Sequence, residues 1–395
     1  MAKLRIGDLR FEKEEREALQ RVIDSGRISE GPEVRAFEDE YADWLGVKHC
    51  VAVSSGTAAL ICGLKALMLD ERFDWFRWED EILMPALTFI ASASAAWLCG
   101  LKIVFGDIDP VTMCLSPKSI LWNSASIIMP VHLMGYAADM EYIAEYAEDC
   151  VPKPIIVEDA CEGHGTLYKG QKVGTFGTWS AFSFYIAHTV QAGEFGCVCT
   201  NDAKIAETVR RLKAHGRKCA CKICTRNTTG CPFLKDGDPR FTHLFPGYNF
   251  KSMEWQAAIA RTQLAKIDEN LERRRANVQT LNAMLRGTEN ELVLPWFHRD
   301  VAYMAYPLIL RREVGYSRDQ LLVDLESRGV ECRPLFGCIP TQQPAFAQYK
   351  EQYEGTLPWS EYYGARGFYV GCHQYLNKEN MKQIGMAILD SLEGI

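Results

Sequence analysis

The chain reads as an α/β protein built on a largely parallel sheet, and three observations predict this. From about residue 49 to 200, short apolar runs alternate with stretches of helical periodicity. Several of those runs are almost continuously hydrophobic, as strands covered by helices on both faces must be. Beyond residue 250 the texture changes to a long helical stretch followed by mixed strands and helices, the pattern of a second, smaller α+β unit.

Taken in order, strands are expected over 50–54, 81–85, 102–105, 127–131, 155–158, 181–184 and 197–200. Helices are expected between them over 57–69, 90–98 and 139–148. A single long helix is expected over 253–286, where Ile259, Leu264, Ile267, Leu271, Val278, Leu281 and Leu285 recur at three- and four-residue steps. A strand over 303–310 and helices over 318–328 and 378–392 complete the pattern. This gives an N-terminal segment and large domain over 1–255, then an interdomain helix and small domain over 256–395. The stretch 216–250, rich in Gly, Cys, Asp and Pro, reads as an ordered, Cys-rich insertion in the large domain.

Composition narrows the function. The 395 residues are 48% hydrophobic and 24% charged, which is ordinary globular usage. A net charge of −7 gives no reason to expect nucleic acid or an anionic membrane as a partner. The charged start, with Lys3 and Arg5, lacks an apolar signal core, and no apolar run approaches the ~18 residues of a membrane span. A cytoplasmic location is the expectation. A reducing compartment leaves the 15 cysteines as core residues, metal ligands or reactive thiols. Cys50, Cys62, Cys99 and Cys114 lie in apolar text and read as core. Cys219, Cys221, Cys224 and Cys231 fall within thirteen residues and do not read as packing.

Residues 54–60 follow a strand and open a helix with Gly56 and Thr57, where backbone N–H groups and small side chains make an anion site. Asp159 puts a carboxylate at the end of a buried strand, and Ser183 ends another. The segment from Trp179 to His188, followed by Ala192-Gly193-Glu194-Phe195-Gly196, resembles the cofactor-lysine segment of the pyridoxal phosphate (PLP) sugar aminotransferases, the DegT/DnrJ/EryC1/StrS family. The resemblance runs from about Ile6 to the C-terminus, with residues 27–32 and 368–373 fitting the family's opening and closing motifs.

That resemblance implies the aspartate aminotransferase-like architecture, fold type I. It implies a phosphate site at Gly56, Thr57 and Ser183, and Asp159 holding the pyridinium nitrogen protonated so that the ring acts as an electron sink. Phe89 offers an aromatic face to the ring, and Asn249 reaches the phosphate of the neighbouring subunit in a homodimer. Most of the family has a lysine, bonded to the cofactor, where this chain has His188. Histidine cannot form that bond but can move protons. The family's 3-dehydratases of nucleotide-linked 4-keto-6-deoxyhexoses carry histidine at this place, and Glu162, Tyr185 and Phe336 also resemble that branch. The implied cofactor is pyridoxamine phosphate (PMP), held without a covalent tether, with His188 as base, Glu162 at the cofactor, and Tyr185, Phe336 and His215 toward the substrate.

The CDP-4-keto-6-deoxyglucose 3-dehydrases of this family carry a [2Fe–2S] cluster on a Cys just after the cofactor Asp, then 57 residues, a C-x-C pair and a further Cys. In this chain Cys161 and Cys219 enclose residues 162–218, which is 57, and Cys219 and Cys221 form the pair. The family has seven residues before the last ligand, whereas Cys221 and Cys231 enclose nine, 222–230. Cys231 is favoured because it ends the loop, with Cys224 the second choice. Four thiolates also suit structural zinc, and spacing alone does not separate the two metals. A cluster implies a flavin or iron–sulfur reductase as electron donor. Without one, the cofactor is recycled with glutamate. From another class, a non-catalytic sensor or zinc-stapled scaffold on this fold would lack the cluster's visible absorbance.

Overall fold

The computed structural model describes residues 3–73, 79–121, 124–222, 231, 238–239, 241–311 and 315–393. Its strands through residue 200 are β1 (His49–Val53), β2 (Glu81–Pro85), β3 (Lys102–Gly106), β4 (Ile127–Ile128), β5 (Ile155–Ile156), β6 (Glu158–Asp159), β7 (Leu167–Tyr168), β8 (Gln171–Lys172), β9 (Ser180–Ser183) and β10 (Gly196–Thr200). Strands β3-β2-β4-β5 form a parallel ladder and β6-β9-β10-β1 a second one, in which β10 runs antiparallel to both neighbours. A parallel bridge from Val131 to Asp159 joins the two into one surface. Strands β5 and β6 are a single extended run that changes partner at Val157.

The nearly continuous hydrophobicity of these strands has a simple cause. In β1, Val51 and Val53 face the core shared with the helix Gly56–Met68, while Cys50 and Ala52 face the core shared with the helix Pro32–Leu45. In β10, Val198 faces the first core and Cys197 and Cys199 the second. Both faces are dry, so alternation disappears. At Gly63 the helix lies so close to the sheet that a Cβ would stand 2.6 Å from Trp179. Ser55 caps this helix by accepting the Ala58 N–H at 3.1 Å. The helix Pro32–Leu45 is capped from far away: the Glu254 carboxylate accepts the N–H groups of Gly31, Glu33 and Val34 at 2.7, 2.9 and 3.0 Å.

Beyond residue 255 a second sheet, antiparallel throughout, has the order β11 (Leu292–Val293), β12 (Tyr306–Leu310), β14 (Gly367–Val370), β13 (Cys332–Pro334). Helices Arg318–Ser327 and Lys378–Glu393 stand where the sequence predicts them.

Two expectations change. The helix expected over 253–286 is two, Glu254–Ala265 and Ile267–Met284, broken at Lys266 (φ −105°, ψ 8°), whose ammonium is held by Glu14 and Glu15. No Gly or Pro marks the break, and the apolar periodicity runs through it. The strand expected from 303 begins at Tyr306, because Tyr303 adopts a left-handed φ of 44°. The chain's start reaches the small sheet's side of the molecule, with Leu4 bridged to Val330 and Ile6 in the core with Leu308 and Phe368. Among the described residues no helix is long and apolar enough to cross a membrane.

Candidate active site

A cavity of about 490 Å³ opens where the C-terminal ends of β6 and β9 meet the N-terminus of the helix Gly56–Met68. This end of the parallel strands is where open α/β sheets place ligands, because the loops diverge there. Gly56, Thr57, Phe89, Asp159, Cys161, Glu162, Ser183, Tyr185, His188 and Phe336, scattered over 280 residues of sequence, all line it. Among the described residues Arg333 also lines it, and no lysine does.

The helix start can approach an anion because Gly56 has no side chain: a Cβ there would stand 2.7 Å from Ser183 Cβ and 3.0 Å from Cys161 Sγ. The N–H groups of a first helical turn lack intrahelical partners and point outward, which suits a phosphate. At the other side, Asp159 is buried and fixed. Its Oδ2 accepts the Ser92 hydroxyl at 2.7 Å, Ser92 lies 3.1 Å from Thr88 Oγ1, and its Oδ1 accepts the Cys161 N–H at 3.2 Å. The exposed Phe89 ring lies 5.5 Å from that of Phe336 at the cavity wall. An anion cradle, a fixed carboxylate and an exposed aromatic face in one cavity fit PLP or PMP.

His188 sits in the turn after β9, and its state follows from its hydrogen bond. Its Nδ1 lies 2.8 Å from the Ser183 carbonyl, and His164 Nε2 lies 2.7 Å from the same oxygen. A carbonyl only accepts, so both nitrogens must carry hydrogen. In neutral His188 this leaves the lone pair on Nε2, the form a general base requires. Burial drives its pKa down to about 4, so it is neutral at physiological pH, with the Nε2 lone pair free. His164 is set in turn by Tyr41, whose hydroxyl donates to His164 Nδ1 at 2.9 Å.

Glu162 has the opposite perturbation. Burial pushes its carboxyl up to about 8 although its Oε2 accepts the Met134 N–H at 2.6 Å, and Asp159 adds repulsion. Met134 itself has a left-handed φ of 54°. The cavity therefore holds an unprotonated base and a protonated acid near pH 7, the separation that acid–base chemistry uses.

Two expected residues lie elsewhere. Asn249 and His215 are exposed and do not line their own chain's cavity. They are neighbours: Ala214 bridges to Asn249, and the His215 N–H donates to the Tyr248 carbonyl at 2.8 Å. His215, expected toward the substrate, is therefore not brought to the cavity of its own chain. Its φ of 65° is left-handed, and its side chain is exposed.

The cysteine set is only partly assembled. Cys161 lines the cavity, and burial, with Asp159 next, holds its thiol well above the ordinary range. Cys219, Cys221 and Cys231 are half-buried. Among the described residues, no three of these four thiols lie within 4.8 Å of one another. Cys224 lies outside the described residues. The thiols that do gather are Cys50, Cys197 and Cys199, buried in the core beside Phe37 and Phe182. Cys62, Cys99 and Cys114 are buried as expected.

His164, Ser92, Thr88 and Arg333 are not legible in the sequence. Only the fold brings Thr88 and Arg333 to the cavity wall and sets Ser92 against Asp159 and His164 against the Ser183 carbonyl, and each stands in text of ordinary composition.

Comparison with known proteins agrees with this geometry. The sequence profile described as the DegT/DnrJ/EryC1/StrS aminotransferase family matches residues 10–389. A dTDP-4-dehydro-2,6-dideoxy-D-glucose 3-dehydratase from Saccharopolyspora spinosa is 32% identical, over 92% of this chain and 81% of the relative. A GDP-perosamine synthase from Caulobacter vibrioides is 31% identical, over 97% of this chain and 96% of the relative. Among solved structures, an E. coli GDP-4-keto-6-deoxy-D-mannose-3-dehydratase with bound hydrated PLP superposes with a TM-score of 0.85 at 25% identity, covering 98% of this chain and 100% of that one.

Proposed function

Because this chain belongs to the DegT/DnrJ/EryC1/StrS aminotransferase family, with the fold type I architecture of its PLP-dependent members, we propose that it is a PMP-dependent 3-dehydratase of a nucleotide-linked 4-keto-6-deoxyhexose. The observation that carries this reading is the cavity wall: among the described residues it holds a neutral histidine, His188, and no lysine. The similarity to the 3-dehydratases from S. spinosa and E. coli supports it. An aminotransferase like the similar perosamine synthase is the alternative, and the absence of a lysine from the wall counts against it.

When bound, PMP supplies an amine for the sugar's C4 ketone and a ring that accepts electrons. Gly56, Thr57 and Ser183 hold its phosphate, and Asp159 keeps the ring nitrogen protonated while Ser92 and the Cys161 N–H hold the carboxylate in place. His188 Nε2 takes a proton from the cofactor's C4′ carbon. Glu162, protonated, is the acid available in the same cavity as the C3 hydroxyl departs. Tyr185 and Phe336 border the sugar. Asn249 and His215, exposed on their own chain, complete the cavity of a second copy in a homodimer.

For the return of the cofactor to its starting state, we assign Cys161, Cys219, Cys221 and Cys231 as ligands of a [2Fe–2S] cluster served by a flavin or iron–sulfur reductase. The spacing supports this, as does the place of Cys161 in the cavity wall. The donor set fits the chemistry of a cluster, and binding would have to draw the loop ligands together, as metal sites commonly do. Recycling with glutamate is the alternative.

The absence of a tether is directly testable. PMP should be removable by dialysis, and borohydride treatment of the PLP-loaded protein should leave no cofactor covalently attached to any lysine. A stable adduct found by mass spectrometry would overturn the dehydratase reading. The pH profile follows from the two perturbed groups. His188 works as a base only when unprotonated, so turnover should fall below pH about 4. Glu162 works as an acid only when protonated, so turnover should fall above pH about 8. Glu162→Gln should remove the alkaline limb and leave the acidic one. A profile unchanged in that variant would assign the alkaline limb to another group.

A further inference from the structure

Arg274 lies within the helix Ile267–Met284, among arginines and glutamates, residue types that mostly face solvent. It is instead fully buried. Its guanidinium donates to four acceptors from three parts of the chain: Nη2 to the His188 carbonyl at 3.1 Å, Nη1 to the Tyr303 and Met304 carbonyls at 3.2 and 2.8 Å, and Nε to Gln374 Oε1 at 3.1 Å. All four acceptors are neutral, and among the described residues no carboxylate forms an ion pair with Arg274. A buried charge without a counter-ion is costly, and replacing Gln374 by an isosteric glutamate would supply one. Among the described residues the buried Nε2 of the Gln374 amide has no hydrogen-bond partner, so this position carries a second cost for keeping the partner neutral.

We propose that Arg274, left uncompensated by a neutral Gln374, is a positioning residue that clamps the His188 turn to the small domain and holds the base in its neutral form. The inference rests on the reading of His188 as the base. Geometry supports the clamp: one guanidinium ties the backbone of the turn to Tyr303, Met304 and Gln374, and Met304 itself lines the cavity. Electrostatics supports the second part, since burial first and Arg274 next disfavour protonation of His188. The other titratable groups around His188 are Asp159, Cys161, Glu162, Tyr185, Glu194, Arg333 and Tyr369 across the cavity and His164 behind Ser183. Those beside Arg274 are Cys372 and Tyr375, and its charge also disfavours protonation of His164 and His373.

The test uses Gln374→Glu, which removes no heavy atom and gives Arg274 a counter-charge, and Arg274→Lys, which keeps the charge and loses the fork. Both are compared with His188→Asn in the PMP-loaded protein. Gln374→Glu should move the acidic limb of turnover, and the titration of His188 followed by histidine-selective NMR, upward from about 4 toward the ordinary ~6.5. Arg274→Lys should lower kcat by ~10-fold or more with KM little changed, as loss of base alignment does. Should Arg274→Lys fail to fold, the isosteric Gln374→Glu still decides. If the acidic limb and the His188 titration stay in place in Gln374→Glu while His188→Asn abolishes turnover, the role of Arg274 is wrong and the base assignment stands. If His188→Asn keeps full turnover, the base assignment falls, and the inference with it.

Discussion

Replacing His188 with asparagine is expected to lower turnover by ~10² to 10⁴-fold, the usual worth of a positioned base. Cofactor binding should survive. Asparagine can still donate to the Ser183 carbonyl, so the turn after β9 keeps its anchor, and Gly56, Thr57, Ser183 and Asp159 are untouched. What asparagine lacks is the Nε2 lone pair. The diagnostic signal is exchange of the C4′ proton of bound PMP with solvent deuterium in the presence of substrate, which should stop in the variant. Retention of turnover within ~10-fold of wild type would mean that another group takes the proton. Glu162 is not a ready substitute, because its carboxyl is protonated up to about pH 8.

Changing Cys161, Cys219, Cys221 or Cys231 to serine is expected to deplete iron and to abolish net reduction of substrate supported by a reductase. Serine keeps nearly the same volume and removes the thiolate that iron requires. The Cys161 variant is the most informative. Its backbone N–H still donates to Asp159, so the cofactor carboxylate stays oriented and PMP should still bind. Iron and sulfide assays with a visible spectrum of anaerobically purified protein check this. Zinc in place of iron would point to a structural site. Bleaching by Cys224→Ser, with Cys231→Ser unaffected, would move the fourth ligand. Full activity in all four variants would favour glutamate recycling.

Much of the fold is legible because the cofactor domain is written locally. Most strands of the large sheet are short, largely buried runs, and the residues at their C-terminal ends, such as Asp159 and Ser183, are found by position alone. The break at Lys266 is not legible, since nothing in the local sequence interrupts the helical pattern and the ion pairs that fix it come from Glu14 and Glu15. The tautomer of His188 is equally hidden. It depends on a carbonyl shared with His164, and that sharing exists only once the chain is folded. The exposure of His215 on its own chain is hidden for the related reason that sequence position says which loop a residue occupies but not which way that loop faces. The cysteine ligands are chosen by spacing, and spacing carries no distance across a fold. That is why Cys161 sits in the cavity wall while its three companions are not gathered around it.

The most direct measurement is the identity of the product. PMP-loaded protein would be incubated with a nucleotide-linked 4-keto-6-deoxyhexose and with a reductant or glutamate to recycle the cofactor, and the sugar analysed by mass spectrometry and NMR. Dehydration predicts a sugar that has lost its C3 hydroxyl and carries no new nitrogen. A 4-amino sugar with its C3 hydroxyl intact would show that the chain is an aminotransferase, and would contradict the role of His188 as the base of a dehydration.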